Sequence, residues 1–253
     1  MDKNKMFQIY YEGKNYEIEK SKVNFSYGYG IVKKIIPHTS RGWGGTWYDD
    51  PLRLIGVVDS EFNTVIAFEA YYHDIQLFPE GNVILQERYS GGDGEQAYSG
   101  LNYYHGRINK HGHFSKLGKI SKYQKINETT LKMGNNNYKC VLYDLKEARI
   151  ISPGFSEIDD FVYLNDNSNK RTAKATLKLS CMDGTDNDCY VICYIDESGK
   201  IVSAIWNSLD NQFMAADNID FDFDAYVEGL KTTLLEEGKI KKETVNKLSR
   251  TII

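Results

Sequence analysis

From Leu54 to about Phe213 the chain is a succession of short β-branched or aromatic runs, each broken by Gly, Asn, Asp or Ser before it is long enough for a helix. This punctuation constrains the fold most, because a strand needs only a handful of residues and an amphipathic helix needs ten or more. Residues 7–36 extend the pattern. Phe7-Gln8-Ile9-Tyr10, Tyr16-Glu17-Ile18 and Gly30-Ile31-Val32-Lys33-Lys34-Ile35-Ile36 alternate apolar and polar positions, with Gly13 and Asn15 where a hairpin turn belongs. The 19 Tyr, 11 Phe and 3 Trp point the same way, since aromatic rings pack well on a pleated surface. The expected fold is mainly β, with antiparallel hairpin repeats forming a sandwich, barrel or propeller-like body.

The character changes after Ile219. Asp222 or Asp224 can cap a helix running through Tyr226, Val227, Leu230, Leu234 and Leu235, with Gly238 placed to end it. A second helix fits 241–252 through Val245, Leu248 and Ile252. Each helix has one apolar stripe, too little for a core of its own, so this C-terminal helical hairpin is expected to dock on the β-region. Three segments follow: N-terminal strands and an aromatic Gly-rich loop (1–53), the hairpin repeat region (54–215) and the helical hairpin (216–253).

Within the middle segment a degenerate repeat emerges when strands are aligned on an acidic or amide residue. The first copy is Gly56-Val57-Val58-Asp59, then Val65-Ile66, then Tyr72-His73-Asp74-Ile75. The second is Gly106-Arg107-Ile108-Asn109, Gly112, Leu117, then Tyr123-Gln124-Lys125-Ile126. The third is Val141-Leu142-Tyr143-Asp144, Ile150-Ile151, then Phe155-Ser156-Glu157-Ile158. The fourth is Cys193-Tyr194-Ile195-Asp196, Gly199, Ile201-Val202, then Trp206-Asn207-Ser208-Leu209. In each, the Asp or Asn side chain is expected to bond the backbone of the following turn, and the aromatic-x-x-aliphatic step to pack on the next copy.

The pattern resembles the WG-repeat (KWG) proteins of bacteria, whose core is Trp-Gly, an apolar pair, Asp, a Gly-containing turn, an aliphatic pair and a Tyr-x-x-Ile-like step. It departs from that core in having Ile55 and His105 where the Trp belongs. The resemblance implies a β-hairpin array used as an interaction surface and brings no catalytic residues with it. A strand-turn-strand rhythm common to all-β proteins is the alternative.

The formal charge is −4, and 24 of the 31 basic residues are Lys, so whole-protein attraction to nucleic acid or anionic membrane is not expected. No apolar h-region follows Met1 and no stretch approaches 18 apolar residues, which gives the expectation of a cytoplasmic protein without a membrane partner. In that compartment its four Cys are expected as thiols.

Candidate sites are few. Residues 107–139 carry Arg107, Lys110, Lys116, Lys119, Lys122, Lys125, Lys132 and Lys139 against Glu128, interleaved with Tyr103, Tyr104, Phe114 and Tyr123. Cations beside aromatics can follow a nucleic-acid backbone, and a solvated face is the alternative. His105, His111 and His113 would make a metal site only if they converged, and Gly112 in a turn would splay them. Asp220, Asp222 and Asp224 read as an edge strand leading to a helix cap. Asp183–Asp188 lacks the spacing of a calcium loop. Cys181, Cys189 and Cys193 fit neither redox nor zinc spacing. The loop holding Trp43, Trp47 and Tyr48 either folds back on the β-region or presents the type of aromatic anchor that interfaces favour.

The expectation is a non-enzymatic binding or interaction protein, of toxin-immunity or inhibitor type, with no cofactor and most plausibly a protein partner. Its candidate partner-binding residues are Trp43, Trp47, Tyr48, Tyr103, Tyr104, Lys110, Lys116 and Lys119. The alternatives are a nucleic-acid or anion binder through 107–139, or a hydrolase drawing on His105, His111, His113, Cys181 and Asp222.

Overall fold

The computed structural model describes residues 5–41, 47–49, 51–91, 98–134, 139–163, 170–179, 188–203, 205–208, 212–214 and 222–236, with backbone alone for 40, 41, 47–49, 98 and 212–214. The chain falls into two units, 1–120 and 121–253.

In the first unit, β1 (Met6–Tyr11) and β2 (Lys14–Glu19) form a hairpin with Tyr11 opposite Lys14. Glu12 and Gly13 between them both have positive φ, 46° and 78°, so Gly13 occupies the expected turn. A four-stranded antiparallel sheet follows, β3 (Asn24–Ser26), β4 (Tyr29–Ile36), β7 (Leu52–Asp59) and β8 (Thr64–Glu69). Inserted in it are β5 (Thr39–Arg41) and β6 (Trp47–Asp49), which pair as a hairpin within the stretch expected to be irregular. The next sheet contains β9 (Tyr72–Leu77), β10 (Asn82–Gly91), β11 (Tyr98–Ile108) and β12 (Phe114–Ile120) in sequence order.

Strand β7 explains why this unit holds together. Leu54, Ile55, Val57 and Val58 are all fully buried. Leu54 and Val58 join Phe7, Ile9, Ile18, Val32 and Phe68 on one side, while Ile55 and Val57 join Tyr72, Ile75, Val83, Leu85 and Ile108 on the other. A strand buried on both faces reads as a continuous apolar run, and each such side chain contributes about 1.5–3 kcal/mol of burial.

The second unit begins with a sheet of β13 (Lys122–Lys125), β14 (Thr130–Gly134), β15 (Cys140–Asp144) and β16 (Arg149–Ile150). A six-stranded sheet contains β17 (Glu157–Ile158), β18 (Val162–Tyr163), β19 (Arg171–Leu179), β20 (Cys189–Asp196), β21 (Ile205–Asn207) and β22 (Gln212–Met214). Helix α1 (Phe223–Glu236) begins where Asp222 Oδ1 accepts a bond from Ala225 N at 3.0 Å, which selects Asp222 over Asp224 as the cap. Phe223, Val227, Leu230 and Leu234 pack in one core with Phe155, Ala175, Val191 and Cys193, so the helix docks on the sheets of its own unit. Asn207 Nδ2 adds a bond to the Tyr226 hydroxyl at 2.7 Å. The second helix, Gly238, Asp220, Cys181 and residues 183–187 lie outside the described residues.

The four sheets share one device. In chain order the third strand on each sheet's path ends at, or just before, the aligned Asp or Asn: β7 at Asp59, β11 before Asn109, β15 at Asp144 and β20 at Asp196. Asp59 Oδ1 accepts from Glu61 N and Asn63 N, each at 2.9 Å. Asn109 Oδ1 accepts from His111 N and His113 N at 2.9 and 3.1 Å, and Asp196 Oδ1 from Ser198 N and Lys200 N at the same two distances. In these three turns the residue three positions on, Phe62, Gly112 or Gly199, has positive φ. Asp144 bonds Lys146 N and Glu147 N instead and closes a longer loop. The side-chain oxygen thus takes turn N–H groups that a strand partner no longer reaches.

The aromatic step after each of the first three turns leads into the next sheet. Tyr72 starts β9, Tyr123 lies in β13 and buried Phe155 precedes β17, whereas Trp206 stays in the sheet of β20. The glycines of the first two copies also match. Gly56 and Gly106 sit at β-bulges, and a Cβ there would meet the Phe68 ring at 2.8 Å or the Phe114 ring at 2.5 Å. Ring-over-backbone packing explains why neither position accepts a side chain.

Candidate binding cleft

Three turns of the first unit gather around an open cleft of about 670 Å³. The β3–β4 turn supplies Tyr27 and Tyr29, the β9–β10 turn Pro79, Glu80 and Gly81, and the β11–β12 turn Arg107 to Lys110. The volume lies within the 300–1,000 Å³ typical of small-ligand sites.

Each wall is fixed by chemistry legible in its residues. Tyr27 and Gly28 form a two-residue turn between paired Ser26 and Tyr29, with φ of 54° and 85°. A tyrosine in the left-handed region costs about 1 kcal/mol or more, and Tyr27 at this turn remains 49% exposed. Glu80 and Gly81 also have positive φ, 57° and 73°. A Cβ on Gly81 would come within 2.3 Å of the Ile108 carbonyl oxygen, so this turn lies directly on the end of β11.

That turn is also held from below. Asn82 Nδ2 donates to the Pro79 carbonyl at 2.8 Å, which leaves Asn82 Oδ1 to accept from His105 Nε2 at 3.2 Å. Both residues are buried, and burial, aided by the nearby Arg107 charge, pushes His105 down to about 4. His105 is therefore a neutral donor at neutral pH. From the side, Arg107 Nε donates to the Glu80 carbonyl at 3.3 Å, leaving the guanidinium's outer N–H groups for the cleft.

The fourth support is the repeat's own turn. Asn109 locks residues 110–113, which fixes the backbone that carries Lys110 into the cleft. Lys110 makes no hydrogen bond or ion pair among the described residues. Arg107 and Lys110 therefore present two cations, beside the single carboxylate of Glu80, next to two tyrosines.

Of the residues singled out from sequence, Lys110 lines this cleft, as does Arg107 of the basic stretch. Lys119 is exposed on β12, paired in register with Tyr104. Tyr103 lies on β11 between Gln86 and Ile120. Tyr104 and Lys116 are brought together, with the ammonium 4.5 Å from the ring centroid and also ion-paired with Glu87. Trp47 and Tyr48 belong to β6, and Trp43 lies outside the described residues.

Several lysines of the long basic stretch have partners of their own. Lys125 pairs with Glu128 at 2.9 Å, Lys132 caps the Ile158 and Asp159 carbonyls, and the stretch passes from one unit into the other after Ile120. His111 and His113 lie in the Asn109 turn while His105 is buried, and among the described residues no group of three His, Cys, Asp or Glu is placed to share a metal ion. Cys140, Cys189 and Cys193 are buried thiols of the second unit's core, with burial raising Cys193 to about 12. Among the described residues no helix is long and apolar enough to cross a membrane.

Tyr27, Tyr29 and Glu80 escaped the sequence reading. Their signals were the Tyr-Gly and Pro-Glu-Gly turn sequences, which mark turns but do not reveal that turns about 50 and 30 residues apart meet. No known protein-family model matches the chain, and no curated protein matches it in sequence.

Proposed function

We propose that this chain is a non-catalytic binding protein in which the Asx-closed hairpins are scaffold and the cleft of the first unit is the binding site. The observation that carries this reading is the convergence of Tyr27, Tyr29, Arg107 and Lys110 on a turn platform held by Asn82, His105 and Asn109. Sites of this type place a few fixed polar groups beside aromatic surface. The roles of residues invoked for catalysis support the same reading. His105 is kept neutral in a structural bond, the His111 and His113 backbone N–H groups close the Asn109 turn, and Asp222 caps α1. A bacterial, cytoplasmic, WG-repeat-like protein of inhibitor or toxin-immunity type belongs to the same proposal.

The test is a photo-cross-linking residue, benzoylphenylalanine, at position 27, compared with one at Val162, which is exposed in the other unit. In lysate of the native host, a discrete adduct is expected from position 27 alone, and it should vanish when Arg107→Ala and Lys110→Ala are added. Equal labelling at both positions, or none at 27, overturns the proposal.

A further inference from the structure

We infer that the ligand of the cleft is a nucleoside phosphate, either a free nucleotide or the phosphorylated end of a single strand; this rests on the binding role proposed above for the same site. The cleft offers two chemistries side by side. Tyr27 and Tyr29 give aromatic faces of a kind on which bases stack irrespective of sequence. Arg107 and Lys110 supply a planar fork and a point charge, the two cationic forms that recognise phosphate. Two cations against the dianion of a phosphomonoester leave the pair neutral, and the exposed Glu80 carboxylate remains free to accept from a ribose hydroxyl or an exocyclic amine.

The cleft's construction favours this ligand over an acidic peptide. Extended peptides are recognised by adding a strand to an open sheet edge, with backbone bonds giving the affinity. Here the lining comes from turns, and several of its backbone groups are already used: Pro79 O accepts from Asn82 Nδ2 and Glu80 O from Arg107 Nε. Phe78 N bonds Asn82 O, Asn109 N bonds His113 O, and Gly112 N bonds Asn109 O. Recognition falls mainly to side chains, of which the rings of Tyr27 and Tyr29 and the cations of Arg107 and Lys110 outweigh the one carboxylate of Glu80. The supports beneath them also keep the donors in place before a ligand arrives, which lowers the ordering cost of binding.

The experiment is isothermal titration of the full chain at low salt with adenosine 5′-monophosphate, adenosine, inorganic phosphate, a 5′-phosphorylated oligoadenylate and an acidic Glu-Tyr peptide. The monophosphate is expected to bind about tenfold more tightly than either adenosine or phosphate alone, and Lys110→Ala and Tyr27→Ala each to weaken it by about tenfold. Lys110 is exposed and holds nothing in place, so its variant separates ligand contact from loss of fold; circular dichroism should be unchanged. An oligonucleotide binding about tenfold more tightly than the mononucleotide identifies a strand end as the source, and equal affinity identifies the free nucleotide. Adenosine matching the monophosphate, the acidic peptide matching it, or affinity unaffected by Lys110→Ala overturns the inference. If none of the probes binds at about 1 mM while the adduct at position 27 persists, the ligand class falls and the binding cleft stands.

Discussion

The second and fourth Asx turns have the same local geometry and opposite fates. Asn109 and Asp196 each bond the N–H groups two and four residues ahead, and each turn has a positive-φ glycine three residues on. The residue after the Asx differs in its surroundings. Lys110 faces an open cleft. Glu197 is ion-paired with Arg171, accepts from Asn127 Nδ2 at 3.4 Å, and its carbonyl accepts from Thr130 Oγ1 at 3.5 Å. The glycines repeat the contrast, since a Cβ on Gly112 meets nothing within 4 Å and one on Gly199 meets the Ile151 carbonyl oxygen at 2.1 Å. Turn chemistry fixes the backbone, and neighbouring strands decide whether the turn is a structural joint or a displayed surface.

The strongest way to break this comparison is alanine at the two glycines. Gly199→Ala adds a backbone collision to an unfavourable φ and is expected to cost about 3 kcal/mol or more, while Gly112→Ala bears only the φ penalty of about 1 kcal/mol. Urea unfolding of both variants checks this, and equal midpoints would remove the distinction between joint and displayed turn.

A second effect, of about 3 kcal/mol, concerns His105 beneath the cleft. Its folded pKa of about 4 lies below the 6.5 of the unfolded chain, so between these values the unfolded state binds the extra proton. Its contribution is therefore fully present above pH 6.5 and is lost as pH falls toward 4. Unfolding free energies of the parent chain and His105→Gln across this window should converge as pH falls; parallel curves would show that His105 is not held neutral.

The smallest effects separate the residues after each Asx. Glu197→Ala leaves Arg171 without its carboxylate and is expected to cost about 1–3 kcal/mol, whereas Lys110→Ala should change stability by less than about 0.5 kcal/mol. Thermal unfolding of the two variants gives the ranking, and a destabilised Lys110→Ala would place that side chain in the scaffold.

These contrasts mark what was legible in the sequence. Strand alternation, a turn at Gly13, the Asx bonds and a cap at Asp222 or Asp224 were readable because each depends on residues within four positions of one another, although Asn15, also read as turn, lies in β2 opposite Tyr10. The cleft was not, because it depends on which turns meet. Tyr27 lies in a stretch read only as strand, and nothing in Pro79-Glu80-Gly81 identifies Ile108 as its neighbour. The partners of the lysines were hidden for a related reason. Sequence counts charges, but Lys116, Lys125 and Lys132 each find a partner in the folded chain.

The order of strands in the sheets bears on how the protein is made. Each of the four main sheets is drawn from one continuous stretch of the chain, interrupted in the first by the β5–β6 hairpin, and the last strand of one directly precedes the first strand of the next. A ribosome releasing the chain from its N-terminus therefore holds no strand of one sheet open for a partner from a later sheet, and most pairings close over short connections whose closure entropy is small. Each completed sheet leaves behind few unpaired edges while the next one emerges, which shortens the time that a strand-rich nascent chain is exposed to aggregation.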